Sequence, residues 1–351
     1  MKRDEGFGEM TKRTKKINPR IIYIYVKIMQ WEELKIKLEQ AQSIAIFGHQ
    51  SIDGDAIWSM YGLWLQLEKL WKTISYFTPD EPSNIFSFLS IQNLVTEFDY
   101  WNYDLIVFVD FSTYNMIRKF TTWHEDYFDW QPKVIIDHHI FSSELPNSVV
   151  FRDDSSISAA QLIFELTQQW RTGLIDSQIS TFILTWIMTD SGNFRFDEWE
   201  ESIRVSRNNL ALLEKWAKKK EIIDNVFRSK SFEDLEFMQI ILWRMQRDND
   251  MVYSRYAQEE LERFGLHPDS ADYALYLIWD IKDQNLVILW KEKDDCIKVS
   301  LRGKWKYNCR DIAIHFWWWW HANAAWCSIE KSWDLELDML NYVNQVKKVI
   351  N

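Results

Sequence analysis

Ser43-Ile44-Ala45-Ile46-Phe47-Gly48-His49-Gln50-Ser51-Ile52-Asp53-Gly54-Asp55 decides how this chain is read. A short apolar run stops at a glycine, as a buried strand does on entering a loop. From Ala56 to Leu70 the residues Ile57, Met60, Leu63, Leu67 and Leu70 then recur at three- and four-residue intervals, the period of a helix. Further strands are predicted at Thr73 to Thr78, Leu105 to Asp110 and Lys133 to Asp137, with helical segments between most of them. Such alternation predicts a parallel α/β sheet, whose ligands bind at the carboxyl ends of the strands.

Polar residues collect at those ends. His49, Asp53 and Asp55 follow the first strand, Asp110 closes Ile106-Val-Phe-Val-Asp110, Asp137-His138-His139 closes the fourth, and Asp190 lies in Met188-Thr-Asp-Ser-Gly-Asn193. One such aspartate alone is more often a helix cap or loop residue. An aspartate after an apolar strand is costly to bury unless it is paired or bound to a metal, and here several converge. Imidazole together with carboxylate suits Mn²⁺ or Mg²⁺, and the donors suffice for two ions.

His-x-x-x-Asp-x-Asp, an isolated strand-end Asp, Asp-His-His and a later Thr-Asp-x-Gly-Asn-Phe, in that order, resemble the four motifs of the DHH phosphoesterase superfamily from about Ile44 to Phe194. The resemblance implies two divalent ions, Mn²⁺ foremost and Mg²⁺ next. His49, Asp53 and Asp110 would hold one ion, and Asp55, Asp110, His138 and Asp190 the other, with Asp110 shared. It implies that His139 faces the substrate phosphate and that Asp137 orients an imidazole. Phosphoester hydrolysis by water activated between the two ions is the expected reaction.

Beyond Asn193 comes a charged helical stretch, Glu198 to Arg247, in which Lys218-Lys-Lys220 reads as a solvated face rather than a nucleic-acid patch. Strands are predicted at Met251–Tyr256, Tyr273–Ile281, Leu286–Trp290 and Cys296–Leu301, making a second, smaller α/β unit. Lys298-Val-Ser-Leu-Arg302 and the segment Ile312 to Ser328 resemble the DHH-associated domain of the nanoRNase/pAp phosphatase branch. By that resemblance Arg302, His321 and the loop before it hold a second phosphate or a terminal nucleotide. Expected substrates are short oligoribonucleotides and 3′-phosphoadenosine 5′-phosphate; the alternative enzyme is a c-di-AMP or pApA phosphodiesterase. The expected architecture is a basic flexible tail (1–28), a parallel-sheet catalytic domain (29–215), a helical linker (216–247) and an α/β substrate-binding domain (248–351), with the site in the cleft. Family-like sequence begins only near Met29, so the true start of the chain is left open.

The loop departs from that branch. Where it has glycines before His321, this chain has Trp317, Trp318, Trp319 and Trp320, and indoles can neither close backbone N–H groups on a phosphate nor adopt positive φ at low cost. The chain holds 21 tryptophans and only 9 glycines, which together approach the ordinary glycine content of about 7%. Trp58, Trp71, Trp130, Trp186, Trp216, Trp305 and Trp326 also stand where glycine would be unremarkable. Many tryptophans are therefore expected to be glycines in the natural protein, encoded by UGA read as glycine. Were the loop genuine, a non-catalytic nucleotide-binding protein would be the alternative.

Other features exclude more than they assign. A net charge of −11 argues against a groove tracking long nucleic acid but leaves room for small phosphorylated substrates. No apolar stretch reaches the ~20 residues of a membrane span. Cys296, Cys309 and Cys327 lack metal-site spacing and are odd in number, which fits a reducing cytoplasm. His124, His267 and His315 read as surface or packing residues. A homodimer is left open.

Overall fold

The computed structural model describes the chain except for residues 1–18, 51, 53, 81–93, 96, 101–102, 112, 140–144, 194–198, 269, 317–323, 333 and 351. Helix α1 (Pro19–Gln40) leads into β1 (Ser43–Phe47), α2 (Gly54–Glu68), β2 (Thr73–Phe77), β3 (Leu94–Val95) and β4 (Leu105–Val109). Short helices α3 (Arg118–Thr121) and α4 (Glu125–Trp130) precede β5 (Lys133–Asp137) and β6 (Ser148–Arg152). Helices α5 (Ala159–Trp170), α6 (Ser177–Asp190), α7 (Trp199–Glu214), α8 (Lys219–Ile222) and α9 (Phe232–Trp243) follow. The remainder is β7 (Gln246–Asp248), β8 (Met251–Ala257), α10 (Gln258–Arg263), α11 (Ser270–Trp279), β9 (Leu286–Glu292), β10 (Cys296–Gly303), α12 (Cys309–His315), β11 (Ala324–Glu330) and α13 (Leu335–Ile350).

The first sheet is wholly parallel, in the order β3-β2-β1-β4-β5-β6. Its central strands are buried on both faces, which is why they read as unbroken apolar runs. The chain leaves β1 toward β2 on one side and returns to β4 on the other. The strand order therefore reverses between β1 and β4, and a crevice opens beyond the ends of those two strands. His49 follows β1 and Asp110 follows β4, so both stand at that reversal.

The second sheet is mixed, in the order β11-β10-β9-β8-β7, with only the β8–β9 pairing parallel. Along β10 Ile297, Val299, Leu301 and Gly303 are buried, while Arg302 is on the opposite face. Gly303 is required there, because a Cβ would come within 2.4 Å of the Tyr307 carbonyl oxygen. Cys309 and Cys327 are buried, and burial pushes their thiols up to about 12 and about 11, so both stay protonated and unreactive.

Three expectations are corrected. The segment Tyr273–Ile281 is not a strand: it lies mostly in α11, whose buried Ala271, Ala274, Leu275 and Ile278 recur at helical spacing. The helix α9 is not a bare linker, since Phe237 and Ile241 pack with Val252, Tyr256 and Leu275 in the second core. Each such burial stabilises by about 1.5–3 kcal/mol. Residues 19–28 belong to α1 and not to a flexible tail; Lys27 lies 4.0 Å from Asp153 and over the Phe151 ring.

Candidate metal centre at the sheet reversal

Five of the six expected metal ligands are described, and they converge at the carboxyl ends of β1, β4 and β5 and the end of α6. Asp110 Oδ2 is 3.3 Å from His49 Nε2, and Asp110 Oδ1 is 3.4 Å from His138 Nε2. His138 Nε2 is in turn 3.5 Å from Asp55 Oδ2. Two overlapping sets result, Asp110 with His138 and His139, and Asp55 with His138 and Asp190, and in each set the ligand atoms lie within 4.8 Å of one another. Asp53, Trp317, Trp318, Trp319, Trp320 and His321 fall outside the described residues.

Local structure aims each donor. Asp110 has left-handed backbone, φ 52°, a conformation aspartate tolerates better than most residues, and this turns its carboxylate from the strand end into the crevice. The His49 and His138 rings each present Nδ1 to a backbone carbonyl, Gln50 O at 2.8 Å and Ser156 O at 3.1 Å. Such contacts make Nδ1 the protonated nitrogen and leave Nε2 to act as a donor toward a cation. His139 is oriented the other way round, with Nδ1 2.8 Å from Asp137 Oδ1 and 3.3 Å from Asp110 Oδ1. The Asp137 carboxylate also accepts from the His139 backbone N–H at 3.2 Å.

Asp55 is held from another element. Its carboxylate accepts from the backbone N–H groups of Ala159 (2.6 Å) and Ala160 (2.9 Å), and from the Ser59 hydroxyl at 3.2 Å. Those amides open α5, so the positive end of that helix offsets the carboxylate's charge. Ser158 caps α5 by accepting from the Gln161 N–H, and the hold on that helix start by a residue 104 positions earlier is not readable in the sequence.

The donors suit a hard or borderline divalent cation. Asp110 is buried and its Oδ1 makes no hydrogen bond of good geometry, although two imidazoles stand beside it. Burial alone would raise its carboxyl pKa; His139, His138 and His49 overcome that and hold it well below the usual range. Burial likewise would lower His138, but Asp110, Asp55 and Asp190 carry it well above the ordinary imidazole value. An anionic carboxylate among converging imidazole nitrogens and carboxylate oxygens is the environment a divalent cation suits.

One consequence is measurable. His138 must lose its proton to bind a cation, and the carboxylates that raise its pKa in the metal-free protein make that loss costlier. Mn²⁺ affinity is expected to rise about tenfold per pH unit until the pH passes that pKa, and then to level. Calorimetric titrations with Mn²⁺ at about pH 6, 7 and 8 check this; an affinity independent of pH would remove His138 from the ligand set.

Beside Arg302 stands a residue that the sequence did not reveal, Tyr276. The Arg302 guanidinium lies 5.3 Å from the Tyr276 ring centroid, and its Nη1 donates to Leu301 O at 3.0 Å. Burial raises the Tyr276 phenol; Arg302 opposes this, while Asp272 and the distant Asp190 add to it. Tyr276 thus feels both Arg302 of the second sheet and Asp190 of the metal-binding cluster. It escaped notice because aromatic and β-branched residues in 273–281 read as a strand, which would have pointed alternate side chains to opposite faces.

Residues 43–189 match the DHH family, N-terminal domain, so this part of the chain is a DHH family domain, of a divalent-metal-dependent phosphoesterase class. Over most of its length it is similar to the bifunctional oligoribonuclease and PAP phosphatase NrnA of Mycoplasma genitalium, 24% identical over 296 residues that cover 82% of this chain and 89% of that protein. The NrnA of Thermus thermophilus is 25% identical over 318 residues, 88% of this chain and 91% of that one. The fold is shared with the crystal structure of an exopolyphosphatase-related protein from Bacteroides fragilis, with a TM-score of 0.78, 22% identity and coverage of 92% and 97%. Among the described residues no helix is long and apolar enough to cross a membrane.

Proposed function

We propose that this phosphoesterase hydrolyses short oligoribonucleotides and 3′-phosphoadenosine 5′-phosphate at the crevice between its two sheets. The observation that carries the reading is the Asp110 carboxylate set between His49 (3.3 Å) and His138 (3.4 Å), with Asp55 and Asp190 gathered on the His138 side, an arrangement that supports two cations sharing Asp110. The names of the two relatives, similar over more than four-fifths of the chain, support this substrate class.

Bound divalent ions, Mn²⁺ foremost, would acidify a water and offset the charge on the phosphate oxygens. His49, Asp53 and Asp110 would hold one and Asp55, Asp110, His138 and Asp190 the other. His139, tied to Asp137 through Nδ1, would direct Nε2 to a phosphate oxygen and donate to it. Arg302 would bind a second phosphate with its guanidinium fork, with Tyr276 keeping that fork in place. His321 and the loop from Trp317 to Trp320 would close on the terminal nucleotide. A clamp at a set distance from the metals favours short substrates, and the acidic chain repels long ones.

The test is a panel of pAp, pApA, c-di-AMP and five-residue RNA with Mn²⁺. Turnover of pAp and short RNA is expected; exclusive turnover of c-di-AMP or pApA would transfer the enzyme to the dinucleotide phosphodiesterases, and no turnover of any would overturn the reading. In the same assay Arg302→Ala is expected to raise KM for pAp by about 10- to 100-fold, the worth of a charge-assisted hydrogen bond pair, with a smaller change in kcat.

A further inference from the structure

We infer that residues 71, 123 and 216 are glycines in the polypeptide as its own cells make it, and that the tryptophans written there are UGA codons read as glycine. The backbone is the ground for this, independently of any motif and of the proposed activity. Trp71, Trp123 and Trp216 have φ of 61°, 68° and 67°, in the left-handed region where a bulky side chain crowds its own carbonyl. The other left-handed non-glycine residues described are Asp110, Asn147, Asn193 and Asn249, the two residue types that tolerate it.

The molecule contains its own control. Helix α10 ends on Gly265, whose N–H donates to Glu262 O at 2.9 Å while Leu266 N–H donates to Leu261 O at 3.3 Å. Helix α6 ends the same way on Gly192, with Gly192 N–H to Thr189 O at 2.9 Å and Asn193 N–H to Met188 O at 2.7 Å. At the end of α7 the same two bonds recur, Trp216 N–H to Leu213 O at 3.0 Å and Ala217 N–H to Leu212 O at 3.2 Å. All three are the glycine-terminated helix end in which the residue after the cap must be left-handed. φ is 55° at Gly192, 66° at Gly265 and 67° at Trp216, so the backbone treats position 216 as it treats a glycine. Trp71 follows α2 with its N–H on Glu68 O at 2.9 Å, and Trp123 separates α3 from α4.

The side chains do nothing that would justify the strain. Trp71, Trp123 and Trp216 are 95%, 94% and 82% exposed, so three of the largest apolar side chains bury almost no surface. Trp31 and Trp170 are of another kind: their rings meet edge-on at 6.3 Å and the Trp170 indole N–H donates to Glu39 at 2.9 Å. Trp58 and Trp186 lie in α2 and α6 with buried rings, so their backbone carries no such mark and the inference does not extend to them.

The deciding experiment is peptide mass spectrometry on the protein purified from the organism that carries the gene, together with the codons. Peptides spanning 71, 123 and 216 are expected to be lighter by the tryptophan–glycine mass difference, from UGA codons; UGG codons or tryptophan masses would overturn the inference. A second readout uses protein made with the written sequence. Trp71→Gly, Trp123→Gly and Trp216→Gly are each expected to raise Tm by about 2–4 °C, and more than the matching Trp→Ala, because alanine keeps the Cβ that left-handed backbone resists. Glycine variants no more stable than the alanine ones would count against it.

Discussion

Asp110→Ala is expected to lower hydrolysis of pAp and short RNA by more than about 100-fold while leaving a folded protein. Loss of a group that merely supports a metal ligand costs about 10- to 100-fold, and Asp110 is assigned to both ions. Its carboxylate faces His49, His138 and His139 at 3.3–3.4 Å, so no neighbour can replace it. The measurement is turnover with Mn²⁺ alongside the number of Mn²⁺ bound per chain. Activity equal to the unaltered protein would end the two-cation reading.

Asp55→Ala is expected to damage both the chemistry and the fold, which distinguishes it from its partner Asp190. The Asp55 carboxylate accepts from two backbone amides of α5 and from Ser59, and its removal leaves those buried donors unpaired. That costs about 2–3 kcal/mol, or about 4–12 °C in Tm for the metal-free protein. Asp190 is only half-buried, and Asp190→Ala should weaken Mn²⁺ binding with a Tm change of no more than about 2 °C. Thermal melts with EDTA read the structural part, and melts with added Mn²⁺ read the metal part. Equal losses for the two variants without metal would show that Asp55 has no separate hold on α5.

The first sheet was legible because its central strands lie between two layers of helix, so five-residue apolar runs such as Leu105–Val109 could have few other fates. The polar residues closing those runs were legible for the same reason. What could not be read was contact between distant segments: Asp55 on the start of α5, the Ser156 carbonyl that sets the His138 ring, and Tyr276 against Arg302. Helix α11 reads as a strand because Tyr273, Tyr276 and Ile278 favour strands in isolation, and packing on the second sheet prevails over that preference. The edge strand β6 was overlooked because Ser148 and Arg152 dilute its apolar pattern.

The amide protons of Ala159 and Ala160 point at the same carboxylate that a cation in the crevice would draw upon. As electron density on Asp55 shifts toward a bound ion, those two hydrogen bonds weaken, and their proton resonances should move upfield. A diamagnetic ion such as Mg²⁺ would make the shift readable by NMR. Two backbone signals thus serve as an occupancy gauge for the centre, readable without any turnover at all.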